Sequence, residues 1–199
     1  MRGASEFALL CPTGYYMALR IGFAFPLVEH NVLPKDWVDH YTRENYMLAD
    51  PVMRWLYSNS GHARWSEIKI PDPRGVMKEA ARFGLNFGVA VSLDDPGPKG
   101  QRSFGSFTRA DREFTDAEIV VLTGKLWRLH IALAPPTNLT EAELQALRMV
   151  KAGLLIKEIA AKLSVSEGAV KQRIKSAKLK LGAKTSSQAV SAASGYGLI

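Results

Sequence analysis

From Ala169 to Leu181 apolar residues recur at three- and four-residue steps, so that Val170, Ile174, Ala177 and Leu181 form one stripe. The other faces of this run carry Lys171, Arg173, Lys175 and Lys178. Just before it, EIAAKLSVS reads as a short apolar helix followed by a turn. Ser166 is a good N-cap for the second helix, because its hydroxyl can accept from a free amide in the first turn. Two helices joined by a tight turn, the second cationic away from its stripe, predict a helix-turn-helix. Such a helix docks on a small core and offers its charges to phosphates and base edges. A basic amphipathic helix alone is as readily a solvated surface helix; the preceding helix and turn shift the balance.

Upstream the pattern is mixed. Tyr15–Phe25 is apolar and aromatic without a helical period, which predicts a strand. Pro34 opens a helix over Lys35–Tyr46, with Trp37 and Tyr41 on one face. Asp50-Pro51 reads as an N-cap followed by a first-turn proline, opening a helix to about Ser58. Arg64–Ile68 is expected as a short strand holding Trp65, and Pro73–Phe83 as a helix ended by Gly84. Gly88–Leu93 and Ser103–Arg109 are expected strands, joined by the turn-rich DDPGPKGQ. Thr115 or Asp116 caps a long helix to about Ala134, with Ile119, Leu122, Leu126, Leu129 and Leu133 on its apolar side. Pro135-Pro136 breaks that helix and marks a boundary.

The expected fold class is therefore α+β. Residues 1–134 form an α/β/α sandwich-like domain with a mainly antiparallel sheet, 135–138 a linker, and 139–199 a small all-α domain. A last helix, serine-capped and rich in small residues, is expected over Ser186–Ala193.

Charge sharpens this division. The net charge is +7, and Leu139–Ile199 holds 10 Lys and Arg against 4 Asp and Glu, while the remainder holds 16 against 15. A basic module joined to a near-neutral domain points to double-stranded DNA as a partner. Hydrophobic residues make up 47% of the chain, enough for a real core, yet no apolar run is long enough to span a bilayer. No membrane partner and a cytoplasmic location are expected. Cys11 is the single cysteine, so no intrachain disulfide forms. The opening MRGASEF has the look of an expression remnant. His30, His40, His62 and His130 are scattered, and no metal-ligand spacing or phosphate-cradling loop is present. No catalytic set, metal or cofactor is expected.

Two stretches together resemble the LuxR-type quorum-sensing regulators, which join an acyl-homoserine-lactone domain to a C-terminal helix-turn-helix. One is LTEAELQALRMVKAG through KEIAAKLSVSEGAVKQRIKSAKLKLGA. The other is WVDHY, DPV, W-S-E and the spaced Ala80, Gly84, Leu85 and Gly88. Departures are also visible. Only a stub precedes Tyr15, where the family usually has a further helix. Leu33 stands where a tyrosine is common, and Ala169, Arg173 and Ser176 replace the family's usual threonine, histidine and asparagine.

The resemblance implies an N-acyl-homoserine lactone as ligand, a homodimer on DNA in which the Ser186–Ala193 helix pairs with its copy, and RNA polymerase as a further partner. It implies that the Trp37 indole donates to the lactone carbonyl and that Asp50 accepts from the amide N–H. Ser106, or failing it Thr108, would hold the amide carbonyl, and Tyr41 and Trp65 would wall the ring. From the residues alone Asp-Pro is a sufficient helix start, and Trp37 and Tyr41 suit an ordinary core. For DNA, Lys171 and Lys175 are expected at base edges and Arg173 at a base or phosphate. Thr140, Lys157, Ser166 and Lys178 are expected as phosphate anchors. Two other readings stay open: a regulator that binds DNA unliganded or by pairing with a full-length relative, and a lactone-processing enzyme, which would need a metal cluster or an activated nucleophile.

Overall fold

The computed structural model describes residues 5–22, 25–96 and 100–199. The opening Met1–Ala4, the end of the expected first strand at Phe23–Ala24, and Gly97–Lys99 of the turn-rich loop lie outside the described residues. The chain divides into two compact units, one of Pro26–Leu133 with the chain up to Ile21, the other centred on Ala134–Ile199.

The first unit runs α1 (Ser5–Ala8), β1 (Gly14–Ile21), β2 (Pro26–Asn31), α2 (Lys35–Arg43), a 3-10 turn (Tyr46–Leu48) and α3 (Pro51–Ser58). It continues with β3 (Gly61–Arg64), a second 3-10 turn (Trp65–Glu67), α4 (Val76–Arg82), β4 (Phe87–Asp94), β5 (Arg102–Arg109) and α5 (Asp116–Ala132). Five strands make one sheet in the order β2-β1-β5-β4-β3, every pair antiparallel. Strand alternation sorts side chains to two faces. Tyr15, Met17, Leu19, Val89, Val91 and Phe107 meet Phe7 and the α5 residues Ile119, Leu122 and Leu126 on one face. Ala18, Ala90 and Phe104 meet Val52, Met53 and Leu56 of α3 on the other. The α/β/α layering follows from those two apolar faces.

Two expectations need correction. The Tyr15–Phe25 strand ends at Ile21, and a further strand, β2, follows at Pro26–Asn31. β2 is a half-exposed edge strand that begins with proline, so it lacks the alternation that would have announced it. Trp65 is not on a strand: β3 stops at Arg64, and Trp65 opens a 3-10 turn closed by Glu67, whose carboxylate accepts from the Arg64 N–H at 2.9 Å.

The second unit holds α6 (Glu141–Lys151), α7 (Ile156–Leu163), α8 (Glu167–Lys180) and α9 (Ser186–Gly195). Val170, Ile174 and Ala177, three of the four stripe residues, are buried, and Leu181 packs partly against α6 and α9. α9 is capped by Thr185 rather than by a serine. Its Ala189 and Ala193 are buried within the unit with Leu147 and Ala177, so these small residues are spent on packing and do not face a second copy.

Candidate functional site

Trp37, Tyr41, Asp50, Trp65 and Ser106, drawn from four separate segments, line one cavity of about 210 Å³. α2 presents Trp37 and Tyr41 from one face, with their rings 5.3 Å apart edge to face. Asp50 arrives at the N-terminus of α3, where Oδ1 accepts from the Val52 and Met53 amides at 2.7 and 3.3 Å. The Tyr41 hydroxyl donates to Asp50 Oδ2 at 2.9 Å. Thus the capping role and the cavity role fall on the same carboxylate. Burial pushes its pKa up, against the downward pull of Tyr41 and the two amides. Burial first, then the Asp50 charge, raises that of Tyr41, which keeps its hydroxyl a donor.

The hydrogen-bond inventory is specific. An ionised carboxylate has about four lone-pair sites. Asp50 uses three, which leaves one acceptor site on Oδ2. No described residue accepts from the Trp37 indole N–H or pairs with the Ser106 hydroxyl, although both residues are buried. Around Asp50 the cavity therefore offers two donors, from Trp37 and Ser106, and one acceptor site; Tyr16, Glu29, Asn31 and Thr42 also line it. Thr108 does not compete with Ser106, because it lies outside the lining and its hydroxyl donates to the Gly14 carbonyl at 2.8 Å. Leu33 lines the cavity, where it can contribute no hydrogen bond. Val52, Met53, Val76, Met77, Ala80 and Leu85 supply the apolar wall, which the sequence pattern alone did not assign.

Trp65 is seated by Gly88. A Cβ on Gly88 would lie 2.7 Å from the indole Nε1 and closer still to the ring carbons, so only glycine lets the indole lie against β4. The Trp65 N–H itself is buried without a partner, and Trp65 acts as a wall.

One group has the atom order of a hydrolytic triad. Ser103 Oγ lies 2.7 Å from His130 Nδ1, and His130 Nε2 lies 3.0 Å from Asp95 Oδ1. Both Ser103 and His130 are fully buried, and Ser103 Oγ already accepts from the Arg20 N–H at 2.8 Å. The Arg20 guanidinium, paired with Asp95, donates through Nε to the His130 carbonyl at 2.8 Å. The set pins α5 to β1 and β5. Among the described residues no group of three His, Cys, Asp or Glu is placed to hold a metal ion.

In the helical unit, α7 ends at Ser164 in the left-handed region (φ 53°), and Ser166 caps α8 by accepting from the Ala169 amide at 3.1 Å. Lys171 and Lys175 are exposed on the side of α8 opposite its buried stripe; Arg173 and Lys178 are half-buried flankers. Gln172, which was not anticipated, is exposed beside Lys171, and a glutamine can read an adenine edge. Lys157 and Thr140 are exposed on the N-terminal sides of α7 and α6, and Thr140 caps α6 by accepting from the Glu143 amide at 3.3 Å. Ser176 is turned inward. Its hydroxyl donates to Glu143 at 2.5 Å, and Glu143 also takes Lys180 Nζ at 2.8 Å on both oxygens. Burial alone would raise the Glu143 pKa, but Lys180, Ser176 and the Thr140 amide together hold it down at about 2.

An autoinducer-binding-domain family model matches residues 26–133, and a model described as bacterial regulatory proteins, luxR family, matches 137–193. The chain belongs to the LuxR family. It is 32% identical over 171 residues to the transcriptional activator protein RaiR of Rhizobium etli, spanning 78% of this chain and 70% of RaiR. It is 29% identical over 191 residues to the quorum-sensing regulator RhlR of Pseudomonas aeruginosa, spanning 90% of this chain and 79% of RhlR. Among solved structures it is similar to SdiA in complex with octanoyl-rac-glycerol, at 26% identity and a TM-score of 0.57, over 99% of this chain and 88% of that one. This LuxR-family chain is thus a quorum-sensing transcriptional regulator with an autoinducer-binding domain and a DNA-binding helix-turn-helix. Its relatives are regulators, not enzymes. No helix among the described residues is long and apolar enough to cross a membrane.

Proposed function

We propose that residues up to 134 bind an N-acyl-homoserine lactone and that 139–199, beyond a 135–138 linker, bind operator DNA as a dimer in the cytoplasm. The observation that carries the ligand reading is the set around Asp50: two donors, Trp37 and Ser106, and one acceptor site, beside an apolar wall. A lactone carbonyl and an amide carbonyl supply two acceptors, and the amide N–H supplies one donor. Trp37 donates to the lactone carbonyl, Ser106 to the amide carbonyl, and Asp50 accepts from the amide N–H. Tyr41 orients Asp50 and, with Trp65, walls the ring. Each such buried group left unpaired would cost about 1–3 kcal/mol, so the match is selective. The cavity lies below the roughly 300–1,000 Å³ of pockets for drug-sized ligands, which favours a short acyl chain.

On DNA, Lys171, Lys175 and Gln172 face base edges, Arg173 a base or phosphate, and Thr140, Lys157, Ser166 and Lys178 the phosphates. Two copies meet half-sites about one turn apart, and the DNA-bound dimer engages RNA polymerase. A second ligand reading comes from SdiA, whose structure holds octanoyl-rac-glycerol: a glycerol monoester would offer Asp50 a hydroxyl in place of the amide. Mass spectrometry of small molecules extracted from the purified protein, followed by titration with those found, tests both. Recovery of an acyl-homoserine lactone that binds saturably is expected; recovery of a glycerol ester with no lactone binding overturns the lactone reading.

A further inference from the structure

One end of the cavity is not apolar. Tyr16 of β1 and Glu29 of β2 both line it, and Glu29 is near enough to raise the pKa of the Tyr16 hydroxyl. Burial first, then the neighbouring Glu29, holds the hydroxyl protonated. Sheet register fixes where the pair lies. Asn31, Tyr16, Ser106 and Ala90 are consecutive partners across β2, β1, β5 and β4. Tyr16 is thus the immediate neighbour of Ser106, one strand spacing or about 4.8 Å toward the β2 edge. Glu29 sits two residues from Asn31 on the same face of β2, opposite Ala18. It is exposed, and so places a charge at the cavity mouth.

If Ser106 holds the amide carbonyl, an acyl chain leaving toward β2 passes Tyr16 and Glu29 within its first few carbons. A plain alkyl chain there excludes water from a carboxylate and returns no hydrogen bond. A ketone can accept from Tyr16 but gives Glu29 no donor. A hydroxyl serves both: it accepts from Tyr16 and donates to Glu29.

We infer that Tyr16 and Glu29 form a polar subsite that selects an acyl group bearing a hydroxyl near its amide end. This rests on the lactone reading above and names the class of lactone. The test is calorimetric titration of the full chain with three homoserine lactones of equal chain length: unsubstituted, 3-hydroxy and 3-oxo. The wild type should bind the 3-hydroxy compound about tenfold more tightly than either of the others, the value of one hydrogen bond to a charged group. Glu29→Gln, an isosteric change at an exposed edge position, should reduce that preference to within about twofold, because the glutamine amide N–H can donate to the ketone while its carbonyl accepts from the hydroxyl. Equal affinities for all three in the wild type, or a preference untouched by Glu29→Gln, would overturn the subsite and leave the lactone reading standing. Binding of none of the three overturns both.

Discussion

In the cavity, a few polar side chains are buried and most of their capacity is already committed: Asp50 holds two amides and Tyr41, and its last acceptor site faces the same space as Trp37 and Ser106. On α8, Lys171, Gln172 and Lys175 stand in solvent. The nearest carboxylate to Lys171 is its own helix neighbour Glu167, at 3.6 Å. The first arrangement recognises by exclusion, since a ligand lacking one group strands a buried partner. The second recognises by addition, since each cation contributes separately and salt screens it. Changes in the cavity should therefore act as all-or-none losses, and changes on α8 as graded ones.

Gly88→Ala should have the largest effect. The new methyl collides with the Trp65 ring, which must leave the cavity wall. Overpacking of this kind costs about 1–3 kcal/mol, and ligand response should be lost with it. Chemical denaturation beside a ligand titration checks this; unchanged ligand binding would mean that Trp65 does not wall the site. Next, Lys171→Ala and Lys175→Ala should each lose about 1–3 kcal/mol at one operator position. Lys178→Ala should weaken all sequences alike and lower the salt slope by about one unit. Binding assays on an operator and its single-base variants, repeated across salt, separate the two behaviours.

Glu143→Gln should destabilise the helical unit by about 1.5 kcal/mol at pH 7, because Lys180 and Ser176 lose a charged acceptor. The sign with pH follows from the depressed pKa. Glu143 contributes fully above its unfolded value of 4.5, and the contribution is lost as pH falls toward about 2. The stability gap between wild type and variant should thus close over that window, and a gap independent of pH would contradict the pairing. The smallest effect is expected at Leu33. Leu33→Tyr adds a donor at the cavity wall and should tighten a simple acyl-homoserine lactone roughly two- to tenfold. A uniform loss across chain lengths would instead mean that Leu33 packs against the acyl chain.

The two regions also differ in how far they were legible in the sequence. α8 declared itself, because its stripe and its charges lie within one helix and repeat at helical spacing. The Asp50-Pro51 cap was equally local. The cavity joins residues from Tyr16 to Ser106, and only the family resemblance, not any periodicity, tied Trp37, Tyr41, Asp50, Trp65 and Ser106 together before the fold did. β2 was missed because an edge strand with solvent on its outer half has no alternation to read. The support of Trp65 by Gly88 and the inward turn of Ser176 depend on close approach between distant elements, which leaves no local mark. Ser106 and Thr108 share one sheet face, so alternation could not choose between them; the hydrogen bond from Thr108 to Gly14 did.

The central claim is that the carboxylate capping α3 is also the acceptor for a ligand amide. Calorimetric titration of an acyl-homoserine lactone into wild type and Asp50→Asn tests it most directly. Asparagine caps a helix about as well as aspartate, so folding stability should change by less than about 1 kcal/mol. Loss of a hydrogen bond to a charged group, about 1.5–3 kcal/mol, predicts affinity roughly ten- to a hundredfold weaker in the variant. Equal affinity in two equally stable proteins would leave Asp50 with the cap alone and contradict the account.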